Sequence, residues 1–247
     1  MPDSSCGSLG ERPPAGWSFN IDGVLTEWDW AVAPDPYAMG STRQIRRARA
    51  RQSYAPAWAF SVTTGTQLRL ESGLEHDLVR ELDRQPQVRW LVSQPACLEW
   101  PRSPSRRATK HTPDLLSLDA DGAVTVWDVR PREKQDEEFV LVSELTRAAC
   151  ADVGWRYEVF SEIPPVRRSN LLWLSGFRRP MPWHASSLAV IRDSLSGEGT
   201  LADVQHLDDG AGHILSAMWH GIWSGLLDCD LDEPFTGTTR LTVSGEL

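Results

Sequence analysis

The sequence predicts an α/β protein: a mixed sheet flanked by helices, followed by a smaller unit of three helices and a hairpin. Three observations predict it. In mid-chain two strand-like runs, Leu115-Leu116-Ser117-Leu118 and Val124-Thr125-Val126-Trp127, are joined by the turn signal Asp119-Ala120-Asp121-Gly122. An amphipathic stretch over residues 136–153 follows, stopped by Gly154, with a further strand-like run over 155–160 behind it. Beyond Pro180-Met181-Pro182, the residues Leu215, Met218, Trp219, Ile222, Trp223 and Leu226 recur at the spacing of a well-buried helix face.

Taken in order, residues 1–56 read as an N-terminal arm, acidic and rich in Pro and Gly to residue 36 and basic from 37 to 56. Trp17, Trp28 and Trp30 are small anchors there, and only partial order is expected before Gly16. Residues 57–180 form the main domain, opening with a hairpin across Thr64-Gly65. Ser72-Gly73-Leu74-Glu75 then starts a helix with the apolar stripe Leu74, Leu78, Val79 and Leu82. Strands over 88–92 and 96–100 lead to the central hairpin, its helix and its last strand. A helix near 169–176 closes the domain before the Pro180-Met181-Pro182 linker. Residues 183–247 form the second unit, with short helices at 188–195 and 201–205, the apolar helix around Trp219, and strands at 227–231 and 240–243. That pattern suggests a winged-helix-like domain.

The central hairpin carries two acids at matching places. A turn of about four or five residues sets Asp114 opposite Asp128 or within one position of it, with Cβ atoms roughly 5 Å apart. Two carboxylates at that distance can share one divalent cation. Side chains alternate along a strand, so Arg130 points the same way as Asp128 while Trp127 and Val129 point into the layer behind. Glu75 comes from upstream, near the start of its helix. Each element also has a plainer reading. Ser72-x-x-Glu75 is a capping box, in which Glu75 satisfies the Ser72 N–H; Pro113-Asp114 starts a strand; Asp128 pairs with Arg130. The order helix Glu, strand Asp, tight hairpin, strand Asp-x-Arg, amphipathic helix favours a shared site.

These segments resemble the TnsA-like endonuclease subunits of heteromeric transposases, whose catalytic domain has the restriction-endonuclease fold. The similarity runs over about half the chain, from Trp58 to Pro180. It rests on Ser61-Val62-Thr63-Thr64-Gly65, Glu71-Ser72-Gly73-Leu74-Glu75, Gln94-Pro95, His111-Thr112-Pro113-Asp114, Trp127-Asp128-Val129-Arg130-Pro131 and Trp173-Leu174-Ser175-Gly176. The resemblance implies a site of Glu75, Asp114, Asp128 and Arg130, with the three acids holding Mg²⁺ or Mn²⁺, and DNA hydrolysis at the 5′ ends of a transposon. It implies a DDE-type transposase as partner and an AAA+ ATPase regulator docking on the C-terminal winged-helix-like domain. A stand-alone restriction or repair nuclease and a catalytically weak assembly subunit are the alternatives. Arg130 departs from the family, which carries Lys there. Arginine stays protonated, so it can fork onto a phosphate but cannot serve as a base. Glu75 is then the better base, and Lys134 is a less favoured substitute for the missing lysine.

With 25 Lys and Arg against 34 Asp and Glu, the chain carries a net charge of −9. Phosphate contact therefore requires local basic segments. Three flank the site: Arg43, Arg46, Arg47, Arg49 and Arg51; then Arg102, Arg106, Arg107 and Lys110 on the loop before Asp114; then Arg167, Arg168, Arg178 and Arg179. The second of these is the best placed to meet DNA, and solvated surface accounts for one of the three. Between Asp193 and Thr239 there is no Lys or Arg, while Asp208, Asp209, Asp228, Asp230, Asp232 and Glu233 are acidic. The second unit therefore reads as a protein-docking module rather than a DNA reader, with Trp219 and Trp223 in its core. Cys6, Cys97, Cys150 and Cys229 form no CxxC pair, which argues against a zinc site or disulfide scaffold. No leader and no membrane-length apolar run is apparent, so a soluble cytoplasmic protein is expected, with no membrane partner.

Overall fold

The computed structural model describes residues 15–42, 57–102 and 108–244. It is a mixed α/β protein with several antiparallel sheets. Arg46, Arg47, Arg106 and Arg107 lie outside the described residues.

The chain opens with β1 (Gly16–Ile21) and β2 (Val24–Trp28), joined at Asp22-Gly23, where φ is 49° and 85°. Two positive φ values in a two-residue loop match the right-handed twist of the strands. After β3 (Met39–Gly40), β4 (Ala57–Phe60) and β5 (Gln67–Leu70) form the expected hairpin. Next come α1 (Gly73–Asp83), β6 (Val88–Ser93), β7 (Ala96–Trp100) and β8 (Thr109–His111). β1 pairs with β7, giving a sheet in the order β2-β1-β7-β8 with β3 also on β1. Residues 16–40 are thus part of the first domain's core and not an arm outside it. Aromatic burial is the reason. Trp17 and Phe19 are 3% and 0% exposed, and the rings of Trp17 and Trp30 meet Trp155 at 5.7 and 5.1 Å.

The second sheet comprises β6, β9 (Leu115–Asp119), β10 (Val124–Val129) and β11 (Arg156–Phe160), in the order β11-β10-β9-β6. β6, β9 and β10 are antiparallel neighbours, whereas β11 runs parallel to β10 across the crossover helix α2 (Glu137–Asp152). Within the β9–β10 turn Gly122 has φ 83° and donates to the Asp119 carbonyl at 3.0 Å. Alternation sorts the side chains into two layers. Val124 and Val126 join Leu145, Ala149 and Cys150 of α2 and the aromatics of the first sheet. On the opposite face Trp127 and Val129 pack with Leu78, Val79 and Leu82 of α1 and with the β5 side chains Leu68 and Leu70. One face is therefore covered by α1 and a hairpin, the other by α2 and a sheet.

α3 (Pro165–Leu174) begins earlier than residue 169, because Pro165 sits at the first helical position, where a missing N–H is harmless. Its Leu171 and Leu174 belong to the core of the second unit, so that unit begins ahead of the Pro180-Met181-Pro182 segment. There follow α4 (His184–Leu195), β12 (Glu198–Thr200), α5 (Leu201–Gln205), α6 (His213–Ser224), β13 (Leu227–Asp228) and β14 (Arg240–Val243). The strands form a sheet in the order β12-β14-β13. β12 has no apolar pattern to announce it; Gly199 admits it, since a Cβ there would lie 2.3 Å from Leu195 Cδ2. Two arginines fasten α3 to α1. Arg167 takes Glu81 with two N–H groups, and Arg168 Nε donates to Asp77 at 2.7 Å. Asp77 also accepts from Arg80 at 2.8 Å, and its side chain is 4% exposed.

Candidate active site

The α1 side begins with helix capping. Ser72 Oγ accepts the Glu75 N–H at 3.1 Å, as its N-cap position requires. The return bond differs from a capping box, because the Glu75 carboxylate accepts from the Glu71 N–H at 2.8 Å, one residue outside the cap. Glu75 is 5% exposed. Glu71 in turn accepts from the Gln94 side chain at 3.0 Å. Gln94 forms the corner between β6 and β7, at φ 50°, and is 2% exposed. Its N–H donates to the Asp114 carbonyl at 2.8 Å, and its carbonyl accepts from Thr42 N–H and Oγ1 at 2.9 and 3.0 Å. Asp114 lies just before β9, one step beyond the Leu115–Trp127 pair and hence across from Asp128. Its N–H reaches the Trp127 carbonyl at 2.9 Å, and its carboxylate accepts from the Val129 N–H at 2.7 Å. Glu71, Glu75, Gln94 and Asp114 are thereby tied into one hydrogen-bonded set.

Asp128 belongs to a different set. Its position alternates with Val126, which turns it toward α2, and it is 2% exposed. His111 Nε2 lies 2.9 and 3.0 Å from its two oxygens, and the Tyr157 hydroxyl donates to it at 2.5 Å. Tyr157 also meets Ser143 of α2 at 3.1 Å. Burial, reinforced by the charge of Asp128, pushes the Tyr157 phenol far up, so it stays protonated and remains a donor. Cys150 nearby is pushed up to about 12 by burial first and by Asp128 second, which leaves an inert thiol. Three of the four residues named in the sequence thus fall into two hydrogen-bonded networks: Glu75 and Asp114 share one, and Asp128 is held in another.

Arg130 is half-buried and turned along the chain. Its Nε donates to the Lys134 carbonyl at 2.8 Å, and its guanidinium sits 5.7 Å from the centre of the Phe139 ring. Among the described residues it makes no carboxylate contact, so the Asp128–Arg130 pair anticipated from spacing is replaced by Asp128–His111. Lys134 itself is exposed. Of the basic segments, Arg102 is exposed and Lys110 pairs with Glu99 at 2.7 Å on the surface. Arg167 and Arg168 hold α1, and Arg179 lies 4.5 Å over the Phe60 ring, so that segment is largely structural.

Carboxylate oxygens suit a hard cation, and Mg²⁺ is commonly held by one or two carboxylates together with substrate phosphates. Glu75 and Asp114 meet that description in donor type. Among the described residues no three His, Cys, Asp or Glu side chains gather as a metal cluster. Spacing alone missed Glu71, Gln94, His111 and Tyr157. Glu71, Gln94 and His111 stand inside the segments that carry the family resemblance, which was the available signal, whereas Tyr157 was visible only as a strand residue. No protein-family model matches the chain, and no curated protein matches it.

Proposed function

We propose that this chain is the metal-dependent DNA endonuclease subunit of a heteromeric, TnsA-like transposase, hydrolysing phosphodiester bonds at the 5′ ends of the element. The observation that carries the reading is topological. A helix, three antiparallel strands, a crossover helix and a strand parallel to the third form an ordered unit, with Asp114 and Asp128 across from each other at one end of the central pair. That order is the one expected of a restriction-endonuclease-like core. Asp114 and Glu75 are the residues that would hold Mg²⁺ or Mn²⁺. The bound cation supplies Lewis acidity and an activated water. Glu75 is buried and fixed by the Glu71 N–H, and Arg130 would bind the scissile phosphate once it leaves the Lys134 carbonyl. In the second unit, the order helix, strand, helix, helix, hairpin with β12 on β14 supports a winged-helix-like domain. Its acidity favours a protein partner there, an AAA+ regulator, with a DDE-type transposase acting on the other strand. The test is cleavage of transposon-end DNA by the purified chain with its partner transposase. Mg²⁺-dependent 5′-end cuts are expected, and their absence in both Mg²⁺ and Mn²⁺ overturns the reading.

One observation favours a second reading, a catalytically weak assembly subunit. Asp128 is engaged by His111 and Tyr157, and Arg130 is turned to its own chain. The same assay separates the two. A complex that assembles on end DNA without 5′ cuts selects the assembly role. Among the described residues no helix is long and apolar enough to cross a membrane.

A further inference from the structure

Gln94 is in an unusual place for its residue type. The corner between β6 and β7 needs a left-handed backbone, and at φ 50° glycine or asparagine would meet that need with less strain. Instead a long side chain is there, turned inward and 2% exposed. Both ends of its carboxamide are used: Nε2 donates to Glu71 at 3.0 Å, and Oε1 accepts from Ser41 Oγ at 3.2 Å. Its backbone is used as well, with the N–H on the Asp114 carbonyl and the carbonyl on Thr42. Two routes leave this residue toward the acids. One runs through the Glu71 carboxylate and the Glu71 N–H to Glu75; the other runs through the backbone to Asp114, whose carboxylate is set by the Val129 N–H. A strained residue with both ends of its side chain bonded, at the junction of two such routes, is expected where geometry matters more than stability.

We propose that Gln94 is the positioning residue of this site: its carboxamide and backbone together fix Glu71 and Glu75 relative to Asp114. The inference rests on the nuclease reading and deepens it, since Gln94 acts through the acids and touches no reacting atom. Loss of such an outer partner lowers metal affinity or activity by about 10–100-fold.

Three proteins test it in the full chain. Gln94→Gly relieves the backbone and deletes the amide. Gln94→Asn suits the left-handed corner but is one methylene short of Glu71. The exchange Gln94→Glu with Glu71→Gln restores the bond with its ends swapped. Mn²⁺ affinity is read by calorimetry on the chain alone, and single-turnover cleavage is read with partner transposase at saturating end DNA; folding is checked by near-UV circular dichroism. Gln94→Gly and Gln94→Asn are expected to fold, to bind Mn²⁺ about 10-fold more weakly and to cleave about 100-fold more slowly, with DNA affinity unchanged. The exchange is expected to recover most of the Mn²⁺ affinity that Gln94→Glu alone loses. Wild-type Mn²⁺ affinity and rate in both Gln94→Gly and Gln94→Asn overturn the inference. A wild-type chain that binds Mn²⁺ without cutting overturns the nuclease reading instead, and the calorimetry still judges Gln94.

Discussion

The two acidic networks at the end of the β9–β10 pair differ in the donors that their carboxylates accept from. The carboxylates of Glu75 and Asp114 accept from the backbone N–H groups of Glu71 and Val129. Toward α2, Asp128 is gripped by side chains, His111 and Tyr157, and is sealed from solvent. Backbone donors fix a carboxylate without needing further groups to be buried with it. Side-chain donors must themselves be desolvated and satisfied, which turns the cluster into part of the core. The first arrangement suits acids that meet a ligand, and the second suits an acid that holds a layer together.

Substitutions that act on one side only can break that contrast. The largest effect is expected from Asp114→Ala, which should lower the single-turnover cleavage rate more than about 100-fold while circular dichroism and partner binding stay unchanged. Retention of wild-type cleavage in Mg²⁺ would remove Asp114 from the site. Arg130→Ala comes next, at roughly 3 kcal/mol of transition-state stabilisation, the scale of losing one charge-stabilising donor. Arg130→Lys should recover much of it, because the Coulomb attraction survives while the fork is lost. Equal rates for wild type and Arg130→Ala would leave Arg130 as the partner of Lys134 and Phe139 only.

Tyr157→Phe tests the other side. It deletes the bonds to Asp128 and Ser143, and urea melts should show a loss of about 1–3 kcal/mol with the cleavage rate essentially kept. A large loss of rate at unchanged stability would move Asp128 from the core to the chemistry. The smallest effect lies in the second unit and calibrates the others. His184 is 2% exposed, accepts the Met181 N–H on Nδ1 and bonds Ser216 through Nε2. Burial first, and His220 second, lower its pKa from the ordinary 6.5. Between that lowered value and 6.5 the unfolded chain binds more protons, so stability rises with pH across the window and is flat above it. Denaturant melts from pH 5 to 8 should show this rise, and His184→Gln should reduce its slope.

Much of the first domain was legible because its signals are local. The Asp119–Gly122 turn sets the β9–β10 register, and that register brings Asp114 across from Asp128 without further information. The layer that covers Asp128 was not legible. Alternation puts Asp128 with Val126, but only the tertiary fold decides that α2 covers that face while α1 covers the other. The N-terminal strands were misread for the same reason. Gly16–Ile21 is short, follows a Pro- and Gly-rich stretch, and gains its stability from Trp155 and β7, far along the chain. Gln94 carried no periodic signal at all, since its importance lies in a corner and four partners from distant segments. Charge was the least transferable guide: Arg167 and Arg168 belong to a basic run, yet both face acids of α1.

Those two arginines bear on how the molecule comes apart. Asp77 is a buried carboxylate whose charge is balanced by Arg168 from α3 and by Arg80 from its own helix. Detaching the C-terminal unit would remove one of the two arginines paired with Asp77 and the arginine paired with Glu81. The detached state is therefore costly, and heating should unfold both units in a single cooperative transition. By linkage, any protein that binds the folded C-terminal unit raises the free energy needed to unwind the helix that carries Glu75.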